Sequence, residues 1–414
     1  MTERNFVVSK NIIAENVPSV DETTISANTA TTIASFPISD SDAVEFSVKA
    51  TQGGRRYSSK ALALHNGSTV DLVQYGEISI GAPQAVAGTW TTRTSNFGNS
   101  AIYSVAYGNN IWVAGGYNSG LLTSTDAITW TTRESNFGFG GSINSVAYGN
   151  SQWVAVGGGM FFGPVLRSST DAITWTTRTS NFGNAIIYSV AYGNNLWVAG
   201  GHYGEIRTST DGTTWTTRTS NFGNTGIRSI AYGNSLWVAG GYGGNIRTST
   251  DAITWTTRTS NFGSTQIRSI AYGNSLWVAA GNNGEIRTST DTITWTTRTS
   301  NFGNSVIRSV AYGNDLWVAA GISSAIRTST DAVTWTTGTS NFGYDSPLSV
   351  AYGNNLFVAA GYSGQIRTST VTTESLGIPL TLSADISDSD VRLRATITDA
   401  DTNNASVKVL KTMI

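Results

Sequence analysis

Three arginines occupy one recurring position, Arg228, Arg268 and Arg308, each immediately before a Ser-Ile-Ala-Tyr-Gly or Ser-Val-Ala-Tyr-Gly run. Their planar forks suit carboxylate, sulfate or phosphate groups, whose oxygens they bind in pairs. The same position reads Tyr103, Asn144, Tyr188 and Leu348 in the remaining copies. Tyr103 and Tyr188 offer aromatic faces for a sugar ring, and His202 and Tyr203 add to that set from a nearby variable turn. These seven residues, Arg228, Arg268, Arg308, Tyr103, Tyr188, His202 and Tyr203, are the candidate ligand-binding group.

Other chemistry finds few residues to work with. His65 and His202 are the only histidines, and the chain has no cysteine. That leaves no metal-ligand spacing and no thiolate nucleophile. Nucleophilic triads lack partners, and Gly157-Gly158-Gly159 lacks the strand and helix that a phosphate-binding loop needs. The expectation is a binding protein with no metal, no cofactor and no catalytic residue.

Composition narrows the partners. Twenty-five Lys and Arg balance 26 Asp and Glu, for a net charge of −1, and charged residues are 12% of the chain. A nucleic-acid surface would need clustered basic residues, so none is expected. No apolar run approaches the ~18 residues of a membrane helix, so no membrane insertion is expected. The opening Met1-Thr2-Glu3-Arg4-Asn5-Phe6 has no secretory pattern, and the lack of cysteine is compatible with folding in a reducing cytoplasm.

The elements that must position the arginines come from an internal repeat. A unit typified by residues 227–259 recurs seven times between Gly88 and Thr370, and its Thr-Trp-Thr-Thr tryptophans fall at 90, 130, 175, 215, 255, 295 and 335. Steps of 40 residues, once 45, suit a propeller blade of four short strands. Within one unit the strands are expected at 227–232, 236–240, 245–249 and 254–258, where Ile, Val, Trp, Tyr and Thr alternate with small or polar residues. Gly, Asn and Asp fill the links between them. No 3.6-residue apolar period survives, and 45 glycines argue further against helix.

Seven first strands and seven fourth strands can be counted, but the fourth-type strand at Trp90 precedes the first blade, and none follows Thr370. The Trp90 strand is therefore expected to complete the last blade, which closes the ring. Each buried Trp ring should contribute about 2 kcal/mol or more.

Copies differ most after Asn-Phe-Gly and after the Val-Ala-Gly strand. In an up-and-down blade these two turns lie on one side, which is the expected binding face. First strands line the channel, so Arg228, Arg268 and Arg308 should form an arc at its mouth. Either Glu205, Glu285 or backbone carbonyls neutralise that arc, or it stays open to an anion. The 45-residue copy adds Met160, Phe161 and Phe162 on the same side, as candidate partner contacts.

The flanks read differently. Residues 43–50, 60–65, 70–75 and 77–80 before the repeats, and 380–384, 391–397 and 407–410 after them, alternate as strands. Asn66-Gly67 marks a hairpin. Ile-Ser-Asp-Ser-Asp occurs at both 38–42 and 386–390. The expected organisation is all-β: an extended N-terminal arm at 1–27, a split β-sandwich at 28–82 and 378–414, and a seven-bladed β-propeller at 83–377 inserted into it.

Two resemblances can be named. Ser249-Thr-Asp-Ala-Ile-Thr-Trp255 resembles the Asp-box of sialidase-like propellers, Ser-x-Asp-x-Gly-x-Thr-Trp. It is one residue shorter, and only Gly212 matches the glycine. The resemblance implies that Asp126, Asp171, Asp211, Asp251, Asp291 and Asp331 cap hairpin turns. It also raises a glycoside hydrolase with an arginine triad as an alternative. Against that reading, Arg93, Arg133, Arg178, Arg218, Arg258 and Arg298 recur on fourth strands, and Arg207, Arg247, Arg287, Arg327 and Arg367 on third strands. Such regularity indicates framework.

The flanks, through Tyr57-Ser-Ser-Lys-Ala-Leu-Ala-Leu-His-Asn-Gly67, Val70-Asp-Leu-Val-Gln-Tyr-Gly-Glu-Ile78 and Asp390-Val-Arg-Leu-Arg-Ala-Thr396, resemble a β-module of tail-fibre and other virion proteins of tailed bacteriophages. The opening Arg4-Asn-Phe-Val-Val8 is similar to arms of such proteins. The resemblance implies a non-enzymatic virion structural protein, a tail fibre, appendage or decoration made in the bacterial host cytoplasm. Its arm and sandwich would dock to other virion proteins, and the propeller would bind a host-surface glycan or receptor. A homo-oligomer is compatible with this. A cellular assembly factor with the same propeller, like those of photosystem assembly, is the remaining alternative.

Overall fold

The computed structural model describes residues 21–25, 31–37, 43–52, 55–65, 70–80, 84–138, 140–159, 163–338, 340–374, 380–387, 390–397 and 405–413, with side chains only within 87–372. The chain divides into two compact units, one spanning 85–372 and the other formed by the segments on either side of it.

The larger unit is a seven-bladed β-propeller. The first blade stacks Ile102–Gly108, Ile111–Gly116, Leu121–Ser124 and Thr131–Arg133 in order. Five further blades repeat this antiparallel meander, ending with the one that opens at Ile307–Gly313. The seventh holds Pro347–Gly353, Leu356–Gly361 and Ile366–Glu374. Its fourth strand comes from the other end of the repeat array: Thr91–Arg93 pairs antiparallel with Ile366–Thr368, as the strand count requires. Fourth strands are shorter than expected, Thr256–Arg258 rather than 254–258. Thr254 serves the preceding turn instead, and Trp255 turns into the core between blades.

Three rings of repeated contacts join the blades. At the inner edge, the amide of each first-strand Val or Ile would face the channel without a partner. A serine of the preceding blade supplies the acceptor. Ile230 N–H donates to Ser189 Oγ at 3.0 Å and Ile270 N–H to Ser229 Oγ at 2.9 Å. The ring closes where Val105 N–H reaches Ser349 Oγ at 3.1 Å. Further out, each first-strand Tyr lies over a glycine of the neighbouring blade. A Cβ on Gly233 would overlap the Tyr272 ring, which is why glycine stands there. The same ring tilts onto Trp277 at 4.9 Å.

The third ring is peripheral. The side-chain amide of each Asn-Phe-Gly asparagine donates to a tryptophan carbonyl of the next blade, Asn221 to Trp255 at 2.7 Å and Asn341 to Trp90 at 2.7 Å across the closure. These asparagines are left-handed, Asn221 at φ 61, a region Asn tolerates better than most residues. Their carbonyls accept from the third-strand arginines, as in Arg247 Nε to Asn221 O at 3.1 Å. Arg247 also stacks on Phe222, 4.8 Å from the ring centroid. Fourth-strand arginines bond within their blade, Arg258 Nε to Thr248 Oγ1 at 2.9 Å. Both sets are framework, as their recurrence indicates.

The aspartates cap hairpins. Asp251 Oδ1 accepts from the Ile253 and Thr254 amides, both at 2.8 Å, and from Ser249 Oγ at 2.9 Å. Trp255 Nε1 then reaches Ala252 O at 3.1 Å, locking the indole over the turn.

In the second unit, Asp21–Ile25, Ala405–Met413, Ala43–Gln52, Arg55–His65 and Val70–Ile80 form one sheet in that order. Thr31–Pro37, Asp390–Ile397 and Leu380–Ser387 form another. Both sheets combine strands from before and after the propeller. Two runs expected to be separate, 70–75 and 77–80, are one strand, because the Gly76 step is absorbed by a register shift opposite Ser58–Lys60. Asp21–Ile25, inside the segment expected to be an arm, pairs with Ala405–Met413. Residues 1–20, the Asn66-Gly67 turn and the expected common hydrophobic core of the two flanks lie outside the described residues and side chains.

Two outcomes follow for stability. Trp90 is buried among Val318, Phe342 and Phe357 at the closure. Trp90→Ala should therefore cost about 3–5 kcal/mol in urea unfolding, more than a rim substitution such as Thr132→Ala. The amides of Thr174 and Ile173 hold the Asp171 carboxyl down at about 2, and the corresponding amides lower Asp126, Asp251 and Asp291 in the same direction. A carboxylate whose pKa is depressed by folding stabilises above its unfolded pKa of about 3.9, and that contribution is lost as pH falls through the folded value. The melting temperature should be flat above about pH 5 and fall between about pH 4 and 2. Asp171→Asn should reduce that slope while keeping the turn, since the amide oxygen still accepts.

Candidate functional site

The residue before each first-strand serine is the extra residue of a β-bulge. The pairing of first and second strands slips between Ile227 and Ser229, Ile267 and Ser269, Ile307 and Ser309, and at the matching step of every other blade. A bulge leaves one residue outside the ladder and re-aims its side chain. The sequence locates this position by its variability but gives no sign of the bulge, since the flanking residues still alternate.

The bulge residues converge on a cavity of 420 Å³ lined by Tyr103, Asn144, Tyr188, Arg228, Arg268, Arg308 and Leu348, with Tyr362 and Ile186 beside them. Arg228, Arg268, Arg308, Tyr103 and Tyr188 are thus brought together, all half-buried. His202 and Tyr203 sit just outside, in the short 3-10 turn His202–Gly204. His202 stacks on Tyr203 at 4.0 Å and meets the Tyr188 ring edge-on at 6.1 Å. Met160, Phe161 and Phe162 lie outside the described residues.

The three guanidiniums are held differently. Arg228 lies over the Tyr188 ring at 4.0 Å and the Tyr242 ring at 4.9 Å, and its Nη2 donates to the Tyr242 hydroxyl. Arg268 Nε donates to Asn282 Oδ1 at 2.6 Å. Arg308 has no side-chain acceptor among the described residues, and its Nε is buried and unpaired.

Among the described residues no carboxylate pairs with the arc. Glu205 and Glu285, one of the two expected sources of neutralisation, pair instead with Arg207 at 2.6 Å and Arg287 at 3.0 Å. Each acid stands two residues before a third-strand arginine, so the two side chains share one face of an extended chain. Asp315 accepts from the Tyr312 hydroxyl at 2.9 Å, and Asp345 from Ser363 at 3.0 Å. Burial, then Arg308 and Arg228, push the Arg268 guanidinium down to about 10. Burial raises the Tyr103 and Tyr188 phenols, so both stay neutral donors. Positive charge, neutral hydroxyls and no competing acid make an arrangement that can hold an anion. Among the described residues no group of three His, Cys, Asp or Glu could hold a metal ion.

No family model and no curated protein sequence matches the chain. Solved structures do. YCF48 bound to a D1 peptide aligns at TM-score 0.57 with 18% identity, over 71% of this chain and 100% of that one. A catalytically inactive virginiamycin B lyase from Staphylococcus aureus aligns at 0.63 with 11% identity, over 69% and 99%. The WD40 propeller domain of Doa1 aligns at 0.55 with 13% identity, over 68% and 95%. The likeness is one of fold. Enzymes and non-enzymes share it.

The electrostatics give a test that needs no ligand. Arg308→Gln removes like-charge repulsion from a half-buried cluster and breaks no side-chain hydrogen bond. Stability in urea at low ionic strength should stay within about 0.5 kcal/mol or rise, whereas Arg247→Gln, which strips the Asn221 carbonyl and the Phe222 face of their partner, should destabilise.

Proposed function

We propose that the chain is a non-enzymatic binding protein of a tailed-bacteriophage virion, whose propeller captures an acidic group of a host-surface glycan at the mouth of its channel. The observation that carries the binding reading is the arc of Arg228, Arg268 and Arg308 at one 420 Å³ cavity, without a carboxylate partner among the described residues. An unneutralised cluster of this kind costs stability, and forked donors return that cost when an anion arrives. Tyrosine faces and the Leu348 side chain suit the apolar face of a sugar ring.

The virion reading rests on the resemblance of the flanking strands. The mixing of strands from both ends of the chain in the same two sheets supports their reading as one split β-sandwich. In that reading the flanking unit docks to other virion proteins and leaves the propeller free to bind. The sialidase-like hydrolase, which would need a Tyr–Glu pair and an Asp acid beside its arginines, is disfavoured because the described lining of the cavity contains no Asp or Glu. The assembly-factor alternative shares the propeller but leaves the flanking sheets without a role. A carboxylate-bearing peptide is the competing ligand for the same arc.

Two measurements test the proposal. Mass spectrometry of purified phage particles should find the protein in stoichiometric amounts; its absence overturns the virion assignment. In calorimetry the full chain should bind acidic oligosaccharides and not their neutral counterparts, with affinity falling as salt rises. Release of free sugar from those oligosaccharides would establish the hydrolase instead.

A further inference from the structure

We infer that the anion is gripped on one side of the mouth only, by Arg308 with Arg268, that its sugar ring rests on Tyr103, and that Arg228 is a positioning residue. This rests on the reading of the mouth as an acidic-glycan site and assigns roles within it.

The argument comes from a second variable position. In each of these blades the residue fourteen after the bulge opens the turn between second and third strands, fixed by one repeated backbone bond. Tyr242 N–H donates to Gly226 O, Asn282 N–H to Gln266 O and Ile322 N–H to Val306 O. This residue decides what its blade's arginine can do. Tyr242 takes a hydrogen bond from Arg228, and the guanidinium lies against the rings of both Tyr242 and Tyr188. Asn282 takes Nε of Arg268 and leaves both terminal nitrogens without a partner among the described residues. Ile322 offers no side-chain acceptor, and Arg308 has none among the described residues. The Nε atoms of Arg228 and Arg308 are both buried and unpaired, so it is the Tyr242 bond and the two tyrosine rings that set Arg228 apart. Commitment therefore falls from Arg228 through Arg268 to Arg308.

The aromatic partners divide in the same way. Tyr188 already has Arg228 at 4.0 Å from its ring, so a sugar meeting that face would first have to displace a cation. No ring or guanidinium stacks on Tyr103 among the described residues. Tyr103 and Arg308 line the same cavity, on the blades to either side of the one that carries Leu348. An anion at Arg308 and Arg268 thus carries its ring onto Tyr103 and Leu348, while Asn144, whose amide NH2 donates to Ile187 O at 2.9 Å, has its Oδ1 left to accept from hydroxyls. The chemistry is a pyranose bearing one carboxylate or sulfate. Both anions fit the same forks.

Calorimetric titration of the full chain tests this with sialyllactose, a hyaluronan tetrasaccharide, a sulfated galactan oligosaccharide and an acidic peptide of similar charge. The dissociation constant should rise about 10- to 100-fold in Arg308→Ala, and less in Arg308→Lys, which keeps the charge without the fork. Arg228→Ala should change it less than about threefold, the size of an indirect effect. Tyr103→Ala should weaken binding more than Tyr188→Ala. Ile322→Asn, which gives Arg308 the acceptor that Arg268 already has, should weaken binding with all three arginines intact. It also keeps the test alive if Arg308→Ala fails to fold. Preference for the carboxylate or the sulfate probe would identify the anion within the proposal. If the saccharides bind and Arg228→Ala costs as much as Arg308→Ala, the division of roles is wrong while the glycan reading stands. If only the peptide binds, or nothing does, both fall.

Discussion

The inner ring of serine hydroxyls is what the rest of the propeller depends on. The first strand of each blade has its outer edge paired with the second strand and its inner edge facing a channel. An amide left without a partner there would cost about 1–3 kcal/mol, once per blade. The serine of the preceding blade removes that cost and sets how closely the blades approach. Once Ser189 meets Ile230 and its six counterparts do the same, the Tyr rings fall over the neighbouring glycines and the asparagines reach the next tryptophan carbonyl. Three radii of the ring are then fixed by hydrogen bonds or overlap that tolerate little change, which fits the near-identity of those residues from copy to copy.

The bulge beside each serine separates the invariant framework from a position that varies. It sets one side chain per blade free of the ladder, with the invariant serine as its immediate neighbour. That side chain can vary as tyrosine, asparagine, arginine or leucine without disturbing the ring. The turn residue fourteen positions later adds a second variable site within reach of the first. Two substitutions in one blade can therefore tune whether a cation is sheathed, tethered or free, as Tyr242, Asn282 and Ile322 illustrate. Six blades carry such a pair, and in the remaining one the fourteenth residue, Gly158, lies within a strand, so the rim of the mouth can change while its core does not.

Much of this was legible in the sequence, and the limits have physical causes. Blade number and closure by the Trp90 strand follow from the spacing of the repeat, and the turn-capping aspartates were expected from the resemblance of their segment to an Asp-box. The convergence of Arg228, Arg268 and Arg308 with Tyr103 and Tyr188 was also readable, from position and strand order. The bulge was not, since a single extra residue leaves the alternation around it undisturbed. Nor was the commitment of Glu205 and Glu285 to Arg207 and Arg287. Sequence placed those acids in the right turn, but their direction depends on the two-residue alternation of the extended chain. In the flanks, polar, threonine-rich strands such as Asp21–Ile25 and Thr31–Pro37 lack the apolar alternation that identifies strands by sequence, and only pairing with later segments defines them.

The persistence of the arginine arc is itself an argument about function. Burial and guanidinium repulsion together lower Arg268, and a single acid at Ile322 or Leu348 would offset the repulsion. The repeat has acids to offer: Glu205 and Glu285 stand in the same class of turn, three residues beyond the position occupied by Ile322. They serve third-strand arginines that already have asparagine carbonyls and, in Arg207 and Arg287, phenylalanine faces. Arg207 and Arg287 thus have an acid as well as a carbonyl and a ring, although the Arg287 Nε stays unpaired, while the described partners of the cations at the mouth are all neutral. A ring selected for stability alone would distribute its acids the other way round. The observed distribution leaves positive charge at the opening of the channel, where a low-dielectric wall strengthens its field.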